Sequence, residues 1–149
     1  TYSLYNLYRF AHYYEEAYGK YIWLKSGASL VIEHTEAMTV IDVNTGSVLK
    51  KKKQEDTLFY QINREAAKEI ARQLRLRNIS GIIMIDFINM KDTAQKEKLL
   101  SLLDSECKKD RVHCNVIDMT ALNLVEMTRS KVRKPLHEQI RSCMKNNRS

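Results

Sequence analysis

The sequence predicts an α/β domain: a mixed β-sheet flanked by helices. Three observations lead there: β-rich runs broken by turn residues between 21 and 44, one continuous apolar run in "GIIMIDFINM", and apolar stripes of helical spacing on either side of that run. At 149 residues the chain fits one domain and is long enough to bury a core. A hydrophobic fraction of 44% beside 29% charged residues excludes a disordered or fibrous polypeptide. No apolar run approaches the ~20 residues that a membrane-spanning helix needs, so no membrane span is expected. Nothing at the N-terminus reads as a secretory signal, although Thr1 need not be the natural start.

Residues 3–18 place Leu4, Tyr8, Ala11 and Tyr18 at helical spacing, which predicts an amphipathic helix ended by Gly19. Strands follow at about 21–24, 29–33 and 38–44, with Ser26-Gly27 and His34-Thr35-Glu36 as the breaks, and connections this short favour antiparallel neighbours. Residues 47–60 open on Lys50-Lys51-Lys52-Lys53 and read as an exposed loop. In "NREAAKEIARQLRLRN", Asn63 is the expected helix cap, and Ile62, Ala66, Ile70 and Leu74 form the buried stripe. The basic stripe beside it, Arg64, Lys68, Arg72 and Arg75, is read as a solvent face paired through Glu65–Lys68 and Glu69–Arg72.

After a turn at 78–81, "GIIMIDF" reads as a strand buried on both faces. Asp92 with Gln95 marks the next helix start, and Leu99, Leu103 and Cys107 supply its buried side. "HCNVID" is a further strand, "NLVEMTR" a strand or turn, and Pro135 opens a terminal helix.

The three cysteines lack disulfide or zinc spacing, so a reducing cytoplasm is the simplest setting. A net charge of +7 and a pI near 9.3 favour polyanionic partners such as RNA or an anionic membrane surface. His12, His34, His113 and His137 have no ligand spacing and read as surface or packed residues.

Strand alternation puts Met38, Val40, Asp42 and Asn44 on one face. Asp86 ends the most apolar strand, and ligands of α/β sheets gather at the carboxyl ends of strands. If the two strands are neighbours, Asp42 and Asp86 share an edge and suit Mg²⁺, which commonly takes one or two carboxylates and keeps several waters. Asn44 would orient such a site. The alternative is turn chemistry, since Asp and Asn at strand ends commonly bond backbone amides, and pattern alone favours it.

The pieces "WLKSGASLVIEHTEAMTVIDVNTG", "NREAAKEIARQLRLRNISGIIMIDFINM" and "KKDRVHCNVIDMTALNLVEMTRSKVRKPL", in that order, closely resemble the catalytic core of the ribonuclease E/G family over about residues 4–136. The resemblance implies a single-strand-specific, Mg²⁺-dependent endoribonuclease of RNA processing and decay. It puts the two metal-binding aspartates on Asp42 and Asp86 and the supporting asparagine on Asn44, and makes Lys50, Lys51, Lys52, Lys53 and Arg111 candidate RNA contacts. It further implies a DNase I-like subdomain over 27–149, preceded at 1–26 by the end of an RNase H-like subdomain.

Some family features are missing. The upstream OB-fold domain and 5′-end sensor are absent from this chain, Asn89 stands where a second acidic residue is common, and His113 replaces a basic residue. Only Cys143 lies where the family often has a Cys-Pro-x-Cys zinc link, so zinc-linked dimerisation has no support and homo-oligomerisation stays open. The competing expectation is a non-catalytic RNA-binding or assembly fragment that lacks the substrate-gripping domains.

Overall fold

A computed structural model describes residues 9, 12, 18–46, 55–132 and 136–146. Six strands form one mixed sheet: β1 (Tyr21–Trp23), β2 (Ser29–His34), β3 (Met38–Asn44), β4 (Gly81–Asp86), β5 (Cys114–Met119) and β6 (Leu124–Arg129), in the order β1-β2-β3-β4-β6-β5. Among the described residues three further elements are helices: α1 (Glu55–Leu76), α2 (Thr93–Cys107) and α3 (Leu136–Asn146). Among the described pairings only β3–β4 is parallel, because α1 crosses over between these strands and returns the chain to the same end. Arg9, His12 and Tyr18 are helical, and the rest of the expected helix at 3–18 lies outside the described residues. β1 and β2, which flank residue 26, are paired in one sheet.

Alternation divides the sheet into two unlike faces. One carries Leu30, Ile32, Ile41, Val43, Ile83, Ile85, Val125 and Met127, which bury against Ile62, Ala66, Ile70 and Leu74 of α1 and Leu99, Leu103 and Cys107 of α2. Truncating a buried position such as Ile85 to Ala costs about 2–5 kcal/mol. The other face holds Val31, Met38, Val40, Asp42, Met84 and Ile82, all half-buried or exposed. β4 therefore is central in the sheet but buried on one face only: Ile82 is 48% exposed. An unbroken apolar run does not reveal which of its alternate positions meets solvent.

The helix expected to start at Asn63 already includes Glu55, so residues 55–60, expected as part of a loop, are helical, and the rest of that expected loop lies outside the described residues. Asn63 is fully buried within α1, where its Nδ2 donates to Ile88 O (2.8 Å) and its Oδ1 accepts from Ile88 N (3.0 Å). Its amide satisfies the backbone just beyond β4 rather than a helix end. Glu65 also departs from the expected pairing with Lys68, accepting the backbone N–H groups of Lys25 (2.7 Å) and Ser26 (3.3 Å), whereas the Glu69–Arg72 pair forms at 3.1 Å.

Asn78 ends α1 in the left-handed region (φ 49°), and the Ile79 N–H closes back on Leu74 O at 3.0 Å, a Schellman-type stop. Arg129 locks this end: its Nε donates to Asp110 Oδ2 (2.8 Å), and its Nη1 donates to Asn78 Oδ1 (2.9 Å) and Ile79 O (3.1 Å). α2 starts as expected, with Asp92 accepting from Ala94 N at 2.8 Å.

Candidate metal centre

The β3–β4 register makes Asp42 and Asp86 direct Cα partners. Neighbouring strands lie about 4.8 Å apart, and partners in register point to the same side, so the two carboxylates stand together on the open face. Asn44 lies two residues beyond Asp42 on that face, and is exposed. Burial, and then the Asp42 charge, push the Asp86 carboxyl above the usual carboxylate range. Such a pair repels itself when ionised, and a divalent cation relieves the repulsion.

Three further segments end near these carboxylates. The 24–28 turn follows β1, whose Trp23 pairs with Ser29, itself the partner of Asn44. The 87–92 segment leaves β4 directly after Asp86, and the 120–123 turn leads into Leu124, the β6 partner of Asp86. Gly46, just past Asn44, has φ 57°, and a Cβ there would meet Gly27 O at 2.8 Å, so only glycine fits this close approach of two loops.

Two carboxylates and an amide supply oxygen donors only, which suits Mg²⁺ with most of its shell left to water and phosphate. Among the described residues no three His, Cys, Asp or Glu side chains gather as they would for a structural zinc site.

The other sequence-derived positions fare differently. Lys50, Lys51, Lys52 and Lys53 lie outside the described residues. Arg111 is exposed but sits between α2 and β5, beside the Gly81 end of β4, so the sheet does not bring it to the aspartates. Lys91 and Lys96, which the sequence reading left unassigned, belong to the carboxylate end: Lys91 is exposed on the 87–92 segment, and Lys96 Nζ donates to Asn123 Oδ1 at 3.0 Å. The signal for Lys91 was available, because the loop after a β-strand bearing a candidate ligand is where a phosphate contact is expected, whereas Lys96 is in the first turns of α2 and comes to this end through its tertiary partner Asn123.

The Ribonuclease E/G family matches residues 1–132. The chain belongs to that family. Ribonuclease G of Escherichia coli strain K12 is 45% identical over 122 residues, 82% of this chain and 25% of that protein. Ribonuclease G of Haemophilus influenzae is 44% identical over 133 residues, 89% of this chain and 27% of that protein. Ribonuclease E of a Nostoc species is 42% identical over 115 residues, 77% of this chain and 17% of that protein. This ribonuclease E/G-family chain thus spans about a quarter or less of the length of these curated relatives.

Two features of this family member escaped the sequence reading. His34 and His137 stack with ring centroids 3.8 Å apart, docking α3 against β2. Asp110 and Arg129 form an almost fully buried ion pair, joining the α2–β5 turn to the last residue of β6. Neither has a local signature, since both join segments distant in sequence. Among the described residues no helix is long and apolar enough to cross a membrane.

Proposed function

We propose that this chain is the catalytic core of a Mg²⁺-dependent, single-strand-specific endoribonuclease that hydrolyses RNA phosphodiesters in RNA processing and decay, leaving 5′-phosphate and 3′-hydroxyl ends. The observation that carries the proposal is the register of β3 on β4, which seats Asp42 beside Asp86 on an open face. The two carboxylates would hold the cation, and Asn44 would orient a carboxylate or a coordinated ligand. When bound, Mg²⁺ supplies charge neutralisation at the phosphate and lowers the pKa of water. The protein's own share is positional: a crossover helix and a parallel strand pair keep two mutually repelling carboxylates together. Lys91 and Lys96 supply positive charge toward the RNA backbone, and a net charge of +7 draws the polyanion in. Three unpaired thiols, Cys107, Cys114 and Cys143, are in keeping with a cytoplasmic protein.

The test is Mg²⁺-dependent cleavage of a 5′-monophosphorylated single-stranded RNA, with Asp42→Asn and Asp86→Asn as comparisons. Each substitution is expected to reduce cleavage by about 10²-fold or more, and activity that stays near the parent level in both overturns the two-aspartate site. A second reading, an RNA-binding or assembly piece that does not cleave by itself, is favoured by coverage of only 25% of the Escherichia coli relative's length. It predicts RNA binding without turnover for the parent chain at saturating Mg²⁺.

A further inference from the structure

Tyr21 and Trp23 on β1 are 61% and 73% exposed, large values for aromatic side chains in a strand. Register places them beside the candidate centre. Tyr21 pairs with Val31, Val31 with Asp42 and Asp42 with Asp86, while Trp23 pairs with Ser29 and Ser29 with Asn44. Both rings therefore project from the same sheet face as the carboxylates, two strands, or about 10 Å, from Asp42 and Asn44.

We propose that Tyr21 and Trp23 form a stacking platform for unpaired nucleobases of the RNA strand whose phosphate lies at Asp42 and Asp86. This rests on the single-stranded RNA reading of the same site.

The chemistry of the face favours bases over backbone there. The β2 residues between the rings and the centre are Val31, partner of both Tyr21 and Asp42, and Ser29, partner of both Trp23 and Asn44, neither of them a cation that would hold a phosphate. Lys20, whose Nζ lies 5.8 Å from the Tyr21 ring centroid, is engaged in an ion pair with Glu33. An aromatic ring needs no opposite charge to hold a base, and every base presents a π-face, which makes stacking tolerant of sequence. The platform is also held in place. The Lys25 and Ser26 amides bond to Glu65 of α1, fixing the turn that follows Trp23. A paired base cannot offer its face to the rings, so the platform adds a preference for single strands.

Trp23 is the one tryptophan in the chain, so its emission reports the contact directly. The experiment titrates the full 149-residue chain, without divalent metal, with a fluorescently labelled single-stranded RNA, following both label anisotropy and Trp23 emission. The expected result is quenching of Trp23 by the single strand, and little by a duplex of the same sequence or by an abasic strand of the same length. Trp23→Ala should weaken single-strand binding about tenfold, Tyr21→Ala should weaken it less, and Trp23→Phe should stay close to the parent. RNA that binds by anisotropy while Trp23 emission stays unchanged overturns the platform and leaves the ribonuclease reading standing, as does equal quenching by the abasic strand. Absence of binding by any of these RNAs overturns it too. Quenching by single strands with no cleavage when Mg²⁺ is added supports the platform and removes the nuclease reading.

Discussion

Asp86 bears a cost set by its position. Partial burial, and then the Asp42 charge, raise its pKa from the ordinary 3.8, so the folded chain keeps the proton to a higher pH than the unfolded chain does. The favourable contribution is complete below the unfolded value and is lost as pH rises through the folded one. Asp86→Asn should therefore raise Tm at neutral pH in metal-free buffer, with the gain vanishing below about pH 4 by calorimetry, while cleavage falls by about 10²-fold or more. Mg²⁺ should raise the Tm of the parent and leave that of Asp86→Asn unchanged. Asp110 shows the opposite sign: burial alone would raise its pKa, but the Arg129 guanidinium and the Val112 N–H outweigh burial and hold it below the usual range. Asp110→Asn strands the buried Arg129 charge and should cost about 3–5 kcal/mol in urea unfolding.

At the scale of elements, α1 and α3 are secured by side chains that do unexpected work. Asn63→Leu would leave both backbone groups of Ile88 unsatisfied, costing about 2–4 kcal/mol and loosening the segment directly after Asp86. Measured kcat should fall together with stability. At the other end, burial first, then the charges of His137 and Arg77, lower the His34 pKa to about 4. Between about pH 6.5 and 4 the unfolded chain binds the proton and the folded chain does not, so stability falls as pH drops through this window. His34→Gln should flatten that slope in denaturant titrations at a series of pH values.

Local pattern is legible in this sequence, and tertiary partnership is not. Alternation in "MTVIDVN" placed Asp42 and Asn44 on one face, and the structure agrees, because side-chain period is a local property of strands. Whether β3 and β4 were neighbours was not local, and the pairing of Asp42 with Asp86 could be stated only as a condition until the register supplied it. Asn63 misled for a different reason: an asparagine ahead of an apolar stripe has the chemistry of a cap, and only the tertiary partner at Ile88 reveals another use. The buried Asp110–Arg129 pair was invisible, since charged residues in sequence read as surface.

Over the whole molecule, the basic balance and the acidic centre pull in different directions. RNA affinity should fall with salt along a log–log slope of about −0.7 per phosphate neutralised on a single strand. Replacing Lys91 and Lys96 with Ala should reduce that slope by about 1.4 in filter-binding measurements across a salt series, whereas Arg111→Ala, at the far end of the sheet, should leave it nearly unchanged.

The crossover between β3 and β4 has a separate bearing on how the centre comes into being. Asp42 precedes α1 and Asp86 follows it, so a chain severed between Gly46 and Glu55 leaves each fragment with one carboxylate of the two. Cation binding by a mixture of such fragments would then register their reassociation, and the parallel strand pair would act as a split reporter of its own folding.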